Sequence, residues 1–274
     1  MVTINNLHYA YGRHGHELYG GLDMTIGENK IYGLLGKNGS GKSTLLYLLS
    51  GLLFPRKGDI KVLDYNTRQR TAAMLREVFI VPEEYDMPDI PLKQFININR
   101  TFYPHFSEEV LHQCLRDFEM NEEPNLHELS MGQKKKVYMS FALAAGTRLL
   151  LMDEPTNGLD IPSKSLFRKV VASNMSDNRT LIISTHQVHD VEALLDHLLL
   201  IDNGRLLLNS SVSDLTDRYA FRYLQPSEMS DDVLYAEPSL QGNASIIRRK
   251  GNEPETPINL ELLFNAVTKG AVSF

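Results

Sequence analysis

The sequence predicts an α/β fold built on a mostly parallel sheet covered on both faces, and three observations support it. Apolar strand-like runs alternate with helical patterns through most of the 274 residues. The runs at 31–35, 148–152 and 180–185 read as strands buried on both faces. Each ends at residues equipped for chemistry: a glycine-rich loop after the first, Asp153 and Glu154 after the second, His186 after the third. In such sheets ligands gather at the carboxyl ends of the strands, so all three groups are expected at one edge.

Along the chain, 2–9 and 22–26 look like short strands of an N-terminal antiparallel β part, separated by a Gly- and His-rich turn over 12–21. After the strand at 31–35 the glycine-rich loop leads into an apolar run, 44–49, free of Pro and Gly, that continues as a helix until Gly51 stops it. A turn at 54–58 enters a strand at 59–63. A polar helical stretch over 67–77 precedes a strand at 78–81, which Pro82 ends. From Glu83 to Leu129 the character changes. Acidic turn residues and prolines lead into two helical patterns at 92–102 and 107–118, the second opened by a Ser107 cap with Glu108 and Glu109 behind it. This reads as an inserted helical subdomain. A long helix over 129–145 follows, with Val137, Phe141 and Ala144 on one face and Lys134, Lys135 and Lys136 near its start as a solvated face. A helix at 162–174 separates the last two central strands. Beyond about 210 the composition turns polar and proline-rich, which reads as a small C-terminal extension whose last helical element, 259–267, docks on the rest.

Bulk properties exclude several classes. With 42% hydrophobic residues the chain can bury a sizeable core. A formal charge of −6 and the lack of a long basic run argue against nucleic acid as a partner. The single cysteine, Cys114, cannot form an internal disulfide and is expected to be simply packed. The first residues lack the basic start and apolar run of a signal peptide, and the longest apolar candidate, 194–208, is interrupted by six polar or glycine positions. The chain is therefore not expected to cross a membrane by itself.

The loop from Gly36 to Thr44 reads Gly-Lys-Asn-Gly-Ser-Gly-Lys-Ser-Thr and contains the phosphate-binding pattern Gly36, four residues, Gly41, Lys42, Ser43. Gly36, Gly39 and Gly41 permit a backbone that wraps a phosphate and points its N–H groups inward. Asn38, Ser40 and Thr44 complete the loop. Lys42 brings a positive charge to the β- and γ-phosphates, and the Ser43 hydroxyl can ligate the Mg²⁺ that travels with a nucleotide. The loop lies between a buried strand and a helix start, as a P-loop NTPase requires. Downstream, Asp153 at a strand end is placed to hold Mg²⁺. Glu154 can orient or deprotonate an attacking water, and His186 can hydrogen-bond the γ-phosphate. His186-x-x-His189 also invites a metal reading, but no further ligands follow at metal spacing. The acids Glu83, Glu84, Asp86 and Asp89 read as a solvated connecting loop, with a paired acid and base as the alternative.

The loop at Gly36, the helix start Leu129-Ser130-Met131-Gly132-Gln133, Asp153-Glu154, Gly158-Leu159-Asp160 and the lone His186 occur in an order that resembles the ATP-binding-cassette (ABC) ATPases over about residues 2–210. The segment 260–264 resembles the bacterial drug- and bacitracin-resistance subunits. The resemblance implies an ATPase domain over 1–210, with a helical subdomain at about 84–146, and a small appendage over 211–274. It implies ATP and Mg²⁺ as cofactors, catalytic Glu154 and His186, and metal contacts from Ser43, Glu83 and Asp153. Ser130, Gly132 and Gln133 would close on the γ-phosphate held by a second ATPase subunit, identical or not, and Asp160 would lie at that interface. Tyr11 would stack on adenine, with a strand-end aromatic packed in the core as the alternative. Two departures stand out: Met131 where the commonest family version has Gly, and Glu83 where the family usually places Gln. An acid there keeps oxygen for Mg²⁺ but adds negative charge and loses a donor.

The implied function is the ATP-hydrolysing subunit of a membrane transporter, leaning to export. It would be cytoplasmic, peripheral on the inner face of the plasma membrane, and partnered by integral-membrane subunits. A soluble cassette ATPase of the iron–sulfur assembly type is the alternative. A nucleotide-binding regulator without turnover would need neither Glu154 nor His186.

Overall fold

The computed structural model describes residues 1–12, 15–251 and 253–272. Positions 13 and 14, within the turn expected over 12–21, lie outside the described residues.

Strands β1 (Val2–Ala10) and β2 (Glu17–Ile26) pair antiparallel, and with β4 (Lys57–Val62) and β5 (Tyr65–Asn66) form a four-stranded sheet ordered β2-β1-β4-β5. β2 starts earlier than its apolar half suggests, because Glu17, Tyr19 and Gly20 pair with β1. The central sheet contains β3 (Ile31–Leu35), β6 (Val78–Val81), β7 (Leu149–Asp153), β8 (Thr180–Thr185), β9 (His197–Asp202) and β10 (Arg205–Ser211) in the order β10-β9-β3-β8-β7-β6. All but β10 run parallel. Every residue of β3, β7 and β8 is buried, the pattern expected of strands covered on both faces. Helix α1 (Lys42–Leu49) follows β3, and α6 (Ile161–Ser173) follows β7.

The insert holds α3 (Leu92–Asn99), α4 (Glu108–Asp117) and α5 (Met131–Ala144). Ser107 caps α4, its hydroxyl accepting from Val110 N–H at 3.2 Å. Phe141 of α5 packs among Phe79, Phe95 and Phe106, with ring centroids 5.1–5.9 Å apart. Burying such a ring contributes about 2–3 kcal/mol, and it fastens the insert to β6. Cys114 is fully buried, which pushes its thiol up to about 12.

Several sequence expectations need correction. The stretch 67–77 is not one helix: a tight turn spans Thr67–Gln69, Arg70 takes φ 44°, and Thr71 caps the five-residue α2 (Ala72–Arg76). The helix expected to 102 ends at Asn99, and Arg100–Phe102 tightens into a 3₁₀ turn. The apolar stretch 194–208 contains the β9–β10 hairpin, turned by Asn203 and Gly204 at φ 47° and 70°. Beyond it the polar C-terminal region is more regular than its composition suggests. It comprises α7 (Val212–Arg218), an antiparallel sheet ordered β11-β13-β12 from β11 (Tyr219–Leu224), β12 (Val233–Ser239) and β13 (Gly242–Arg248), and α8 (Leu260–Thr268). Leu208, Leu215, Phe221, Ile246, Leu260 and Leu263 join the same hydrophobic core that lines the central sheet. No helix of the described residues is long and apolar enough to cross a membrane.

Candidate nucleotide site

Adjacent parallel strands deliver the chemistry to one edge. β3 opens into the loop at Gly36, β8 ends before His186, β7 ends at Asp153, and β6 leads through Pro82 to Glu83. The loop is shaped by glycines in two ways. A Cβ on Gly36 would stand 2.4 Å from Ser40 Oγ and 2.5 Å from Ile201 O, so the backbone is pressed between the far side of the loop and β9. Gly41 takes φ 108° and its carbonyl accepts from the Tyr19 hydroxyl at 2.8 Å, which a Cβ would crowd at 2.5 Å. Gly41 caps α1 without a side-chain bond, and no acid occupies the first turn, so the N–H groups of the helix start are free to meet an anion.

Lys42 is buried and donates to the carbonyls of Gly36 at 2.9 Å and Lys37 at 3.3 Å. Burial lowers its pKa, while the fields of Glu154, Asp153 and Glu83 oppose that shift. Its Nζ stands 3.9 Å from Glu154 Oε1. The same oxygen lies 2.8 Å from His186 Nδ1 and accepts from the His186 main-chain N–H at 3.0 Å. Glu154 therefore sits between the loop lysine and the histidine, with φ 44° at its own backbone. Asp153 is 1% exposed. Ser184 Oγ donates to its Oδ1, and its Oδ2 is buried without a hydrogen-bond partner among the described residues. An orphaned buried carboxylate oxygen fits a hard, oxygen-preferring cation such as Mg²⁺. Among the described residues no group of three or more His, Cys, Asp or Glu converges as a cage for a metal. His186 and His189 have separate partners, His189 lying between Glu192 and Glu261.

A cleft of 510 Å³ gathers Tyr11, Asn38, Gly39, Gly41, Lys42, Ser43, Thr44, Glu83 and Glu154. Tyr11 is 55% exposed, which rules out its reading as a core aromatic. Its hydroxyl lies 2.7 Å from Thr44 Oγ1 and its ring meets Tyr9 edge-on at 5.1 Å. Gly36, Asn38 and His186 line an adjoining cleft that reaches α8 at Glu261 and Phe264. Ser130, Gly132, Gln133 and Asp160 line neither. Ser130 and Gln133 instead form a reciprocal cap at the start of α5, at 3.0 and 3.3 Å, beside a 72% exposed Met131. Asp160 caps α6, and its bonds from Ser163 hold the carboxyl below the usual range. Glu84, Asp86 and Asp89 are exposed, as a solvated loop would be, and Glu83 accepts from Asn157 Nδ2 at 2.8 Å.

Two site residues escape the sequence reading. Asn157 links Glu83 to Gln187, whose Nε2 donates to Asn157 Oδ1 at 3.2 Å. Lys135 is not on a solvated face: it is buried and donates to the carbonyls of Glu154 and Asn157. The signal was present, since Lys135, Met139 and Ala142 form a second inward ridge at helical spacing on α5.

A strand, a glycine loop and a lysine-bearing helix start, with an acid pair ending a nearby strand, define a P-loop nucleoside triphosphatase. A family profile described as ABC transporter matches residues 19–157. The chain belongs to that family. It is 30% identical over 249 residues to the achromobactin transport ATP-binding protein CbrD of Dickeya dadantii, covering 85% of this chain and 86% of that protein. It is 28% identical over 224 residues to the linearmycin resistance ATP-binding protein LnrL of Bacillus subtilis, covering 80% and 71%. A solved dimeric ATP-binding cassette in a post-hydrolysis state, bound to ADP and Pi, shares the fold with a TM-score of 0.66 at 22% identity, covering 77% of this chain and 99% of that one. These relatives are transport and resistance proteins, which leaves the iron–sulfur assembly alternative without support. ABC ATPase domains bind ATP, dimerise and work with membrane transporter components.

Proposed function

We propose that this chain hydrolyses ATP as the motor subunit of a membrane transporter, on the inner face of the plasma membrane, with an integral-membrane partner and export as its direction. Residues 1–210 act as the ATPase domain, with the insert at about 84–146 as its helical subdomain and 211–274 as an appendage. The observation that carries the reading is the Glu154 carboxylate, 2.8 Å from His186 Nδ1 and 3.9 Å from Lys42 Nζ at the edge of the loop. The loop N–H groups and Lys42 bind the phosphates. Glu154 orients a water and takes its proton, and His186 keeps the carboxylate aligned. Ser43, Asp153 and Glu83 would hold Mg²⁺, which would neutralise charge at the phosphates. Ser130, Gly132 and Gln133 offer a helix start with Ser and Gly to the nucleotide of a second subunit, which their position outside the 510 Å³ cleft supports. The likeness to a resistance protein favours export.

The decisive experiment compares the purified chain with Glu154→Gln. The wild type hydrolyses ATP, whereas the variant binds it, loses hydrolysis by about 10²–10⁴-fold and accumulates as a nucleotide-bound dimer. Undiminished turnover in the variant would remove Glu154 as the base.

A further inference from the structure

Helix α5 serves two sites at once. Its start carries Ser130, Gly132 and Gln133, and two residues beyond its capping turn Lys135 points the other way, into this chain's own active-site edge. Lys135 is 7% exposed, and its ammonium donates to Glu154 O at 2.9 Å and to Asn157 O at 2.8 Å. A buried ammonium requires such partners, and here both are main-chain carbonyls of one tight turn. The turn needs holding. Glu154 lies in the left-handed region at φ 44°, which is costly for a residue with a Cβ. The Glu154 carbonyl also accepts from the Asn157 N–H at 3.1 Å, closing the turn on itself. The Asn157 side chain then reaches Glu83 and Gln187. Fixing the carbonyls of 154 and 157 thus fixes the direction of the Glu154 carboxylate and the bridge to Glu83. Charge points the same way. Burial lowers the Lys135 pKa, and Glu83, Glu154 and Asp153 oppose that shift, so Lys135 is a second cation, beside Lys42, within the field of these three acids.

We propose that Lys135 is a positioning residue for Glu154 and ties it to the start of α5, so that a second subunit closing on Ser130–Gln133 is felt at this chain's own water-orienting carboxylate. The clamp stands on the geometry alone; the coupling between subunits rests on the proposed function. Lys135 neither lines the nucleotide cleft nor touches the phosphate loop, so its loss should act on the rate and not on binding.

Lys135→Met keeps the stem and removes the donors, and Lys135→Arg returns charge and donors. In Lys135→Met, kcat for Mg·ATP falls about 100-fold, the effect of a reacting group displaced by about 1 Å. KM stays within about twofold and amide exchange over residues 154–157 accelerates, while Lys135→Arg regains most of the rate. Hydrolysis that rises sigmoidally with ATP in the wild type becomes hyperbolic in Lys135→Met. Unchanged kcat in Lys135→Met overturns the proposal. So does an equal fall in kcat and nucleotide affinity with a lowered Tm, which would make Lys135 merely structural. Hyperbolic wild-type kinetics overturns the coupling. If the wild type shows no turnover, the ATPase reading fails separately, and exchange alone decides the clamp: faster exchange in Lys135→Met upholds it and unchanged exchange overturns it.

Discussion

Glu154 Oε1 meets His186 twice, at 3.0 Å from the main-chain N–H and 2.8 Å from ring Nδ1. The backbone bond survives when the ring is removed, so His186→Ala isolates the contribution of the imidazole. Lys42 and the loop are untouched by this change, and nucleotide binding is expected to persist. Steady-state hydrolysis should fall by about 100-fold, the usual size of a lost acid–base or aligning partner. A nucleotide titration run in parallel separates the roles, because an equal loss of affinity would make the ring a binding group.

Glu83 is the acid that stands where the family usually has an amide, and its Oε1 accepts from Asn157 Nδ2 at 2.8 Å. Glu83→Gln keeps a carbonyl oxygen for that bond, removes the charge and turns the second oxygen into an N–H donor. With one negative charge fewer near Asp153, the Mg²⁺ concentration for half-maximal hydrolysis should rise by about five- to tenfold, the effect of roughly 1 kcal/mol of electrostatic attraction. Titrating Mg²⁺ at fixed ATP measures it directly. An unchanged Mg²⁺ dependence assigns Glu83 to the Asn157 bridge alone.

The legible parts of the molecule were those in which the local pattern and the tertiary environment agree. β3, β6 and β8 fall at the expected positions because buried parallel strands must be apolar and short. The loop, Asp153, Glu154 and His186 meet at one edge because strand ends in such a sheet do. On charge alone Lys135 reads as solvent-facing, whereas two main-chain carbonyls make its burial tolerable. The β9–β10 hairpin lies within the interrupted apolar stretch 194–208, where Asn203-Gly204 between apolar runs is a strong turn signal. The C-terminal sheet was obscured by prolines and charges: most residues of β12 are only half-buried, so no clean alternation marks it.

Arg179 is a structural counterpart of Lys135. Its guanidinium is buried and donates to Thr147 O at 3.2 Å, Asn174 O at 3.1 Å and Leu143 O at 2.9 Å, tying the ends of α5 and α6 to the strand between them. Burial lowers its pKa. Arg179→Met fills similar space but leaves three carbonyls short of a donor, at a cost of about 3 kcal/mol. Thermal unfolding should shift down by roughly 5–10 °C for a chain of this size. ATP affinity of the folded variant is expected to stay unchanged, since Arg179 lies at the opposite end of the strands from the loop. A wild-type midpoint would show that water replaces the guanidinium at those carbonyls.

Tyr11 tests the base end of the nucleotide site. More than half of its surface is exposed, its ring is braced edge-on by Tyr9, and its hydroxyl is engaged with Thr44 at the start of α1. An exposed ring held beside a phosphate loop is suited to stack on a base, and stacking on one aromatic contributes about 1–3 kcal/mol. Tyr11→Ala should therefore weaken ATP binding by roughly tenfold. Tyr11→Phe keeps the ring, loses only the bond to Thr44 and should bind within about twofold of wild type. Inorganic triphosphate, which has no base, separates stacking from any change in the loop: its affinity should be the same in all three proteins. If Tyr11→Ala weakens triphosphate as much as ATP, the tyrosine acts by holding Thr44 and the helix start, and the base is bound elsewhere.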